Sequence, residues 1–173
     1  MTITIVGLGL IGGSLAISLR ESGFAQTLIG VDNNEQHAKR AVELGIVEKI
    51  RLLDDAVEQS DIIIVATPVN SLALLVPQIL DKINQNQIVI EVGSTKVNVI
   101  QAVQNHPMRG NFVAAHPMAG TEYSGPDAAI PNLFDGKVCV LCDIESSNAS
   151  SVDTVKKLFT ALKMQIEIGR AHV

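Results

Sequence analysis

A glycine-rich turn near the start of the chain constrains the fold more than any other feature of the sequence. Residues 5–13 read Ile-Val-Gly-Leu-Gly-Leu-Ile-Gly-Gly, so a G-x-G-x-x-G pattern follows one β-branched run and precedes a helical pattern. Gly7 is predicted to make the tight turn and Gly9 to let a pyrophosphate approach the backbone. Gly12 is predicted to let the helix pack closely on the strand.

The start of that helix is a predicted phosphate site, because unpaired backbone N–H groups and the positive end of the helix dipole point out of it. Asp32 follows the next strand-like run, 20 residues beyond Gly12. A carboxylate there accepts hydrogen bonds from ribose hydroxyls and repels a 2′-phosphate, which favours NAD over NADP. The alternative is a glycine-rich turn followed by an unrelated surface acid. The predicted cofactor-binding residues of this region are Gly7, Leu8, Gly9, Leu10, Ile11, Gly12 and Asp32.

Short β-branched runs alternate with longer helical patterns along the whole chain. Strands are predicted at residues 2–6, 27–31, 62–66, 88–92, 112–115, 138–142 and 165–168. Several of these runs are apolar on both faces, as a parallel sheet covered by helices on both sides requires. Helical stripes run through residues 72–83, where Pro77 predicts a kink or a late helix start, and through residues 152–162. The pattern predicts a Rossmann-type, doubly wound α/β fold with a mostly parallel sheet and helices on both faces.

The composition argues against several classes of partner. The chain has 13 basic and 18 acidic residues, a net charge of -5, which does not suit nucleic-acid binding. No apolar run reaches the roughly 18 residues of a membrane span, and no basic residue precedes the apolar N-terminal segment as in a secretory signal. We therefore expect a cytoplasmic protein. Cys139 and Cys142 fall on opposite faces of one predicted strand, so we interpret them as half-buried apolar residues and predict no metal site.

The loops at the carboxyl ends of parallel strands line the ligand crevice of such a sheet. Thr67 and Pro68 follow the third predicted strand and would contact the nicotinamide ribose, although a simple proline turn is an equal alternative. Ser94 follows the next strand, and His116 ends the one after it and opens a polar loop. His116 is therefore predicted to be functional. The other three histidines are interpreted as ordinary core or surface residues: His37, His106 and His172.

Three segments of the chain resemble the prephenate/arogenate dehydrogenase family. They read Gly-Leu-Gly-Leu-Ile-Gly-Gly-Ser at 7–14, Val-Gly-Ser-Thr-Lys at 92–96 and His-Pro-Met-Ala-Gly-Thr-Glu-Tyr-Ser-Gly at 116–125. The first segment is shared by many dehydrogenases, whereas the third is far more specific. The resemblance runs from about residue 2 to about residue 165. It implies that NAD takes a hydride from the carbinol carbon of a cyclohexadienol, which loses carbon dioxide and becomes aromatic.

The resemblance also implies roles for four residues. His116 matches the family's catalytic histidine, which as a neutral imidazole would draw off the hydroxyl proton. Ser94 matches a serine that hydrogen-bonds that hydroxyl or the histidine. Thr121 and Glu122 match positions of the substrate pocket, where Glu122 would order a gate or a water. The substrate is then prephenate, giving 4-hydroxyphenylpyruvate, or arogenate, giving tyrosine, and the sequence does not separate the two.

The sequence departs from the family pattern after residue 167. Family members continue into an all-helical domain that makes the dimer and supplies arginine and histidine contacts to the substrate, so a homodimer is expected only with that domain. Residues 168–173 can be translated from a common sequencing-adapter sequence and are interpreted as a non-native tail; the alternative is a natural end in a last strand. The expected organisation is one dinucleotide-binding domain at residues 1–167 without the helical domain. An NAD-binding fragment without activity is therefore a third functional alternative.

Overall fold

The structure is a computed structural model that describes residues 1–169, in which helices cover both faces of an eight-stranded sheet. The strands are β1 (Thr2–Val6), β2 (Thr27–Val31), β3 (Lys49–Ile50), β4 (Ile62–Val65), β5 (Ile88–Glu91), β6 (Phe112–Pro117), β7 (Val138–Cys142) and β8 (Gln165–Gly169). The helices are α1 (Leu10–Glu21), α2 (Glu35–Glu43), α3 (Leu53–Glu58), α4 (Val69–Leu80), α5 (Val97–Val103) and α6 (Ala149–Ala161).

The order of the strands creates a crevice at one edge of the sheet. The order is β3-β2-β1-β4-β5-β6-β7-β8, and every neighbouring pair is parallel except β6 and β7. From β1 the chain moves outward to β3 on one side, and from β4 it moves outward to β8 on the other. The connections after β1 and β4 therefore lead away from each other and leave room for a ligand at the carboxyl ends of these strands. The predicted Rossmann-type fold is confirmed.

The apolar runs of the central strands are explained by burial on both faces. In β4, Ile62 and Ile64 pack in the apolar cluster that includes α1 and α6, whereas Ile63 and Val65 pack in the cluster that includes α4 and α5. None of these four side chains is more than 1% exposed. Burial of each one stabilises the fold by about 1.5–3 kcal/mol relative to exposure, so the sheet cannot tolerate a polar residue here.

Two details of the predicted elements differ from the structure. β3 was not predicted, because two residues are too short a run to show a period. The helix that contains Pro77 begins at Val69 and continues through the proline to Leu80, so a late helix start is wrong. Its apolar residues on both sides of the proline are buried against the sheet, and this burial keeps the helix continuous.

The end of β6 also differs from the prediction. β6 extends to Pro117, two residues beyond the predicted end, because the antiparallel strand β7 continues the pairing. His116 lies opposite Val140 in this register, and Pro117 lies opposite Cys139. His116 is therefore held within a strand and does not lie on a free loop.

The two cysteines lie on opposite faces of β7, as predicted, because Cys139 and Cys142 belong to different apolar clusters. They are fully buried and not half-buried, because β8 makes β7 an interior strand. Burial raises the pKa of the Cys139 thiol to about 12, which suits an apolar residue better than a ligand. Within residues 1–169, no cluster of three or more histidine, cysteine or acidic side chains could hold a metal ion.

The last strand bears on the expected non-native tail. Ile168 and Gly169 continue β8 and pair with Leu141 and Cys142. Residues 170–173, the remainder of that tail, lie outside the described residues. No helix in the described part of the chain is both long and apolar enough to cross a membrane.

The contact between α1 and the turn after β1 gives a test of the fold. A Cβ added to Gly12 would lie 1.9 Å from the carbonyl oxygen of Gly7 and 3.0 Å from Ile5 Cγ2. Gly12→Ala is therefore expected to lower the free energy of unfolding by about 3 kcal/mol, because α1 must move away from β1. Urea unfolding followed by circular dichroism measures the change.

Gly9→Ala is the matched control for that measurement. A Cβ added to Gly9 meets no atom within 4 Å, and Gly9 has a φ of -78°, which alanine adopts without strain. Its unfolding curve should match that of the unmodified chain. Equal stability of the Gly12→Ala and Gly9→Ala variants would contradict the close contact between α1 and β1.

Candidate active site

A cleft of about 890 Å³ lies at the carboxyl ends of the parallel strands. Its walls come from the loops that follow β1, β2, β4 and β5 and from the end of β6 with the loop behind it. It brings together nine of the residues that the sequence analysis selected: Gly7, Gly9, Leu10, Ile11, Asp32, Thr67, Pro68, Ser94 and His116.

The glycine-rich turn has the shape that a phosphate-binding site needs. Gly7 has a φ of +94°, and its N–H donates to the carbonyl of Val31 at 2.8 Å. A Cβ on Gly7 would lie 2.8 Å from the carbonyl oxygen of Ala66, whereas a Cβ on Gly9 would extend into open space. The first N–H groups of α1, which starts at Leu10, have no acceptor within the helix. The turn therefore leaves space and donors for a pyrophosphate.

Asp32 is held rigidly at the end of β2. Its Oδ2 accepts the N–H of Leu8 at 2.8 Å, and its Oδ1 accepts the N–H of Asn34 at 2.8 Å. The carboxylate thus joins the glycine-rich turn to the loop after β2. Each carboxylate oxygen can accept a second hydrogen bond, so Asp32 keeps the capacity to bind ribose hydroxyls.

Two of the predicted cofactor-binding residues, Leu8 and Gly12, do not line the cleft. Leu8 is fully buried and its N–H donates to Asp32, so its direct contact with a cofactor stays a prediction. Gly12 lies against Gly7 and does not line the cleft, in agreement with the packing role expected of it. The sequence motif does not distinguish residues that contact a ligand from residues that shape the turn.

The loop after β4 contributes Thr67 and Pro68 to the cleft wall. Ser71, in the first turn of α4, also lines the cleft, and its Oγ lies 2.9 Å from Thr67 Oγ1 and 2.7 Å from the carbonyl oxygen of Pro68. The serine was not predicted. Its only signal in the sequence is a hydroxyl four residues after Thr67, which is one helical turn.

His116 and Ser94 line the same cleft from neighbouring strands. His116 is half-buried, and burial lowers the pKa of its imidazole below the ordinary value of 6.5. The positive charge of Lys96 lowers this pKa further. The imidazole is therefore neutral at pH 7 and can accept a proton, while the exposed Ser94 hydroxyl can donate or accept a hydrogen bond.

Lys96 does not face the cleft, although it is the one cation in the two loops that carry Ser94 and His116. Its side chain is 4% exposed and donates a hydrogen bond to Glu91, which is fully buried. Among the described residues, the cleft lining contains no lysine or arginine. A substrate carboxylate would therefore meet no cationic side chain supplied by residues 1–169.

The loop after His116 places its residues differently from the expectation. Thr121 and Glu122 are exposed and do not line the cleft, so their contact with a substrate stays a prediction. The Oγ1 of Thr121 accepts the N–H of Tyr123 at 3.2 Å, which closes a local turn. Tyr123 and the two residues after it line the cleft in their place.

His37 lines the cleft beside Asp32, although it was interpreted as an ordinary histidine. It lies in the first turn of α2, whose N-cap Asn34 accepts the N–H groups of Gln36 and His37 at 3.0 and 3.1 Å. A capping asparagine two residues after Asp32 was the signal that could have placed His37 at the crevice.

Comparisons with known proteins agree with this arrangement. The model of the family described as "Prephenate dehydrogenase, nucleotide-binding domain" matches residues 15–168. A prephenate dehydrogenase of Bacillus subtilis is 32% identical over 160 residues, which are 91% of this chain and 43% of that protein. A cyclohexadienyl dehydrogenase of Zymomonas mobilis is 31% identical over 98% of this chain and 58% of its own length. The chain thus spans about half the length of these relatives.

Solved structures show the same relationship. The prephenate dehydrogenase of Aquifex aeolicus in complex with hydroxyphenyl propionate and NAD+ superposes with a TM-score of 0.92 at 28% identity, covering 99% of this chain and 60% of that one. The arogenate dehydrogenase of Synechocystis superposes with a TM-score of 0.88 at 30% identity, covering 99% and 60%. A D-mandelate dehydrogenase at 18% identity and a TM-score of 0.72 shares the fold alone.

The position of Asp32 predicts the choice of dinucleotide. The unmodified chain should bind NADH roughly tenfold or more tightly than NADPH, about 1.4 kcal/mol, because a 2′-phosphate would lie beside an uncompensated carboxylate. Asp32→Asn should narrow the difference, since it removes the charge and keeps an acceptor for the N–H of Leu8. Asp32→Ser with a nearby arginine should narrow it further or invert it. Fluorescence titrations with both dinucleotides measure the ratio, and equal affinities in the unmodified chain would contradict the assignment.

Proposed function

The chain belongs to the prephenate dehydrogenase family, and from this premise we propose that it takes part in the NAD-dependent oxidative decarboxylation of prephenate to 4-hydroxyphenylpyruvate in tyrosine biosynthesis. One observation carries the proposal: the glycine-rich turn, Asp32 after β2 and the half-buried His116 line a single cleft. The family match and the relatives named above support the reaction class.

The residues of the cleft fit NAD along its length. Gly9 and the first N–H groups of α1 would hold the pyrophosphate, and Asp32 would accept hydrogen bonds from the adenosine ribose. Thr67 and Pro68 would flank the nicotinamide ribose and direct the ring toward the part of the cleft that His116 lines. NAD supplies the oxidising step by accepting the hydride of the substrate's carbinol carbon.

His116 would act as the base in this reaction. Its neutral imidazole would take the proton of the carbinol hydroxyl while the substrate loses a hydride and its ring carboxylate leaves as carbon dioxide. Ser94 would hydrogen-bond the same hydroxyl or the imidazole and hold it in line. Pairing with Val140 of β7 holds the backbone of His116, and pairing with β5 holds β6 as far as Ala114, so the base does not need to be ordered when substrate arrives.

Arogenate is the second candidate substrate. It carries an amino acid side chain where prephenate carries a pyruvyl group, while the ring carbons that react are the same. The similarity to an arogenate dehydrogenase, at 30% identity over 99% of this chain, supports this alternative as directly as the other relatives support prephenate. A steady-state comparison of the two substrates in a full-length enzyme that carries this domain tests which one it prefers.

Replacement of His116 tests its role as the base. In such a full-length enzyme, His116→Asn is expected to lower kcat by roughly 10² to 10⁴ with little change in the affinity for NAD, because only the proton acceptor is lost. Ser94→Ala should cost less, about 1–3 kcal/mol of transition-state stabilisation. Turnover of His116→Asn at a rate close to that of the unmodified enzyme would contradict the assignment.

The pH profile gives an independent test of the same residue. The pKa of His116 is lowered, so the imidazole stays unprotonated to more acidic pH than an exposed histidine. The acidic limb of kcat/KM should therefore have its midpoint below 6.5, the ordinary value. The activity should fall as the pH decreases through that midpoint. A midpoint above 6.5 would rule out a base in this environment.

The absence of a cation from the described cleft lining predicts how the chain itself behaves. Residues 1–173 should bind NAD, because the turn and Asp32 lie within them, but should oxidise prephenate very slowly, because no lysine or arginine of residues 1–169 lines the cleft to clamp the ring carboxylate. Calorimetric titration with NAD and an absorbance assay for NADH test the two statements. Gly9→Ala is the control for the NAD titration. Its Cβ would occupy the open space beside the turn, so it should weaken NAD binding without lowering the stability of the chain. Rapid NADH formation by the chain would contradict the second statement.

A further inference from the structure

A buried ion pair lies directly behind the cleft wall and has no part in the reaction as described above. Glu91 is fully buried and Lys96 is 4% exposed, and neither lines the cleft. The Nζ of Lys96 donates to Oε1 of Glu91. Burial raises the pKa of Glu91 and lowers that of Lys96, while the opposite charge of each partner acts against both changes.

The pair spans the loop that carries Ser94. Glu91 is the last residue of β5, and Lys96 immediately precedes α5, so their contact draws the two ends of the loop together. The second oxygen of Glu91, Oε2, accepts the N–H of Gly93 at 2.9 Å. One carboxylate therefore fixes the loop at two points, on either side of the exposed Ser94.

Gly93 is also confined by α4. A Cβ added to it would lie 2.6 Å from Leu72 Cδ1, 3.1 Å from Val69 Cγ1 and 3.2 Å from Oε2 of Glu91. The backbone before Ser94 is thus packed against both the helix and the carboxylate. The position of Ser94 on the cleft wall follows from these contacts and not from a contact of its own with the sheet.

The same pair lies beside the strand that carries His116. Glu91 is in register with Ala114 of β6, two residues before His116. Residues two apart on a strand share a face, so Glu91, Ala114 and His116 lie on the same face of the sheet. Lys96 contacts Glu91 on this face, and its positive charge lowers the pKa of His116. The titratable and charged groups on the packed elements β5, β6 and β7, and in the segments that follow β5 and β7, are Glu91, Lys96, His116, Cys139, Cys142 and Asp143.

Stability alone does not account for such a pair. Removal of two charges from water opposes their attraction, and replacement of a buried ion pair by neutral side chains of similar size often leaves stability unchanged. Apolar residues would close the same loop without this desolvation. What they would not provide is a two-point anchor for the loop and a charge next to the histidine.

We propose that Glu91 and Lys96 are positioning residues, which hold Ser94 on the cleft wall and keep a positive charge beside His116. This inference rests on the proposed function, in which Ser94 and His116 act on the carbinol hydroxyl. The charge of Lys96 disfavours the imidazolium, so His116 remains free of a proton before the substrate's hydroxyl proton reaches it.

The double variant E91Q/K96M tests the proposal in the chain of 173 residues. It replaces both charges with neutral side chains of similar size, whereas Lys96→Met alone would leave a buried carboxylate without its cation. Proton NMR titration of the histidine rings should show the pKa of His116 shifted upward. The affinity for NAD should stay within about twofold, because the pair does not line the cleft. An unchanged titration of His116 would overturn the proposal.

Arg109→Met is the matched control. The buried Arg109 forms an ion pair with the partly buried Asp143 at 2.6 Å and lies near the other end of β6 from His116. Its replacement should lower stability and leave the titration of His116 unchanged. A shift of His116 of the same size in both variants would indicate a general loosening of the sheet and would contradict the proposal.

Hydrogen exchange of the unmodified chain keeps the proposal testable if E91Q/K96M does not fold. The N–H of Gly93 lies in a loop on the cleft wall, so it would exchange rapidly unless Glu91 holds it. Protection of this N–H well above that of an exposed loop amide is expected. Exchange at the rate of an exposed loop would overturn the two-point anchor.

Turnover separates this inference from the proposed function. In a full-length enzyme, E91Q/K96M should lower kcat more than tenfold and leave the KM for NAD unchanged. The acidic limb of its kcat/KM profile should move toward higher pH. Lys96→Arg keeps the positive charge and should therefore retain most of the rate. A uniform loss of active protein would also lower the apparent kcat at an unchanged KM, but it would leave the pH profile where it was, so the shift of the acidic limb separates the two cases. If the unmodified enzyme oxidises neither prephenate nor arogenate, the proposed function fails, whereas the titration and exchange measurements still decide the role of the pair.

Discussion

The close approach of α1 to the turn after β1 is the contact on which the rest of the structure depends. With no Cβ at Gly12, the first turn of the helix lies directly against the carbonyl of Gly7, which aims the unpaired N–H groups of α1 into the crevice. The N–H of Gly7 donates a hydrogen bond to the carbonyl of Val31 at the end of β2, and the carboxylate of Asp32 accepts the N–H of Leu8. The glycine-rich turn and Asp32, which are the predicted phosphate and ribose sites, are thus parts of a single hydrogen-bonded unit at the centre of the sheet.

The half of the cleft that His116 and Ser94 line is held in place by a different kind of interaction. Its side chains are placed by strand pairing and by buried charge, not by backbone donors at a helix start. The antiparallel pairing of β7 with β6 extends the strand that carries His116, and the buried Glu91 anchors the loop that carries Ser94. A tertiary contact from another element thus orders each of the two polar groups, which keeps their geometry independent of whether a cofactor is bound.

Whether a residue of the site could be predicted depends on how far apart in the sequence its interaction partners lie. The glycine turn and Asp32 were identified because turn, helix start and acid are consecutive along the chain and have a fixed spacing. His116 was identified as the polar end of an apolar strand, and its role came from the resemblance to a family. The place of His37 on the cleft wall and the burial of Leu8 were missed, since both depend on which way a side chain points in three dimensions.

The sequence by itself determined the fold class, the place of the crevice and the residue types that border it, because periodicity, glycine spacing and strand-end loops are local properties. Only the tertiary structure decided which of these residues share the cleft. In the structure, Lys96 is buried in an ion pair with Glu91, whereas Thr121 and Glu122 are exposed and do not line the cleft. The physical reason is that burial and charge pairing depend on how all elements of the fold pack together. A local sequence pattern therefore does not show whether a lysine side chain faces a ligand or a buried carboxylate.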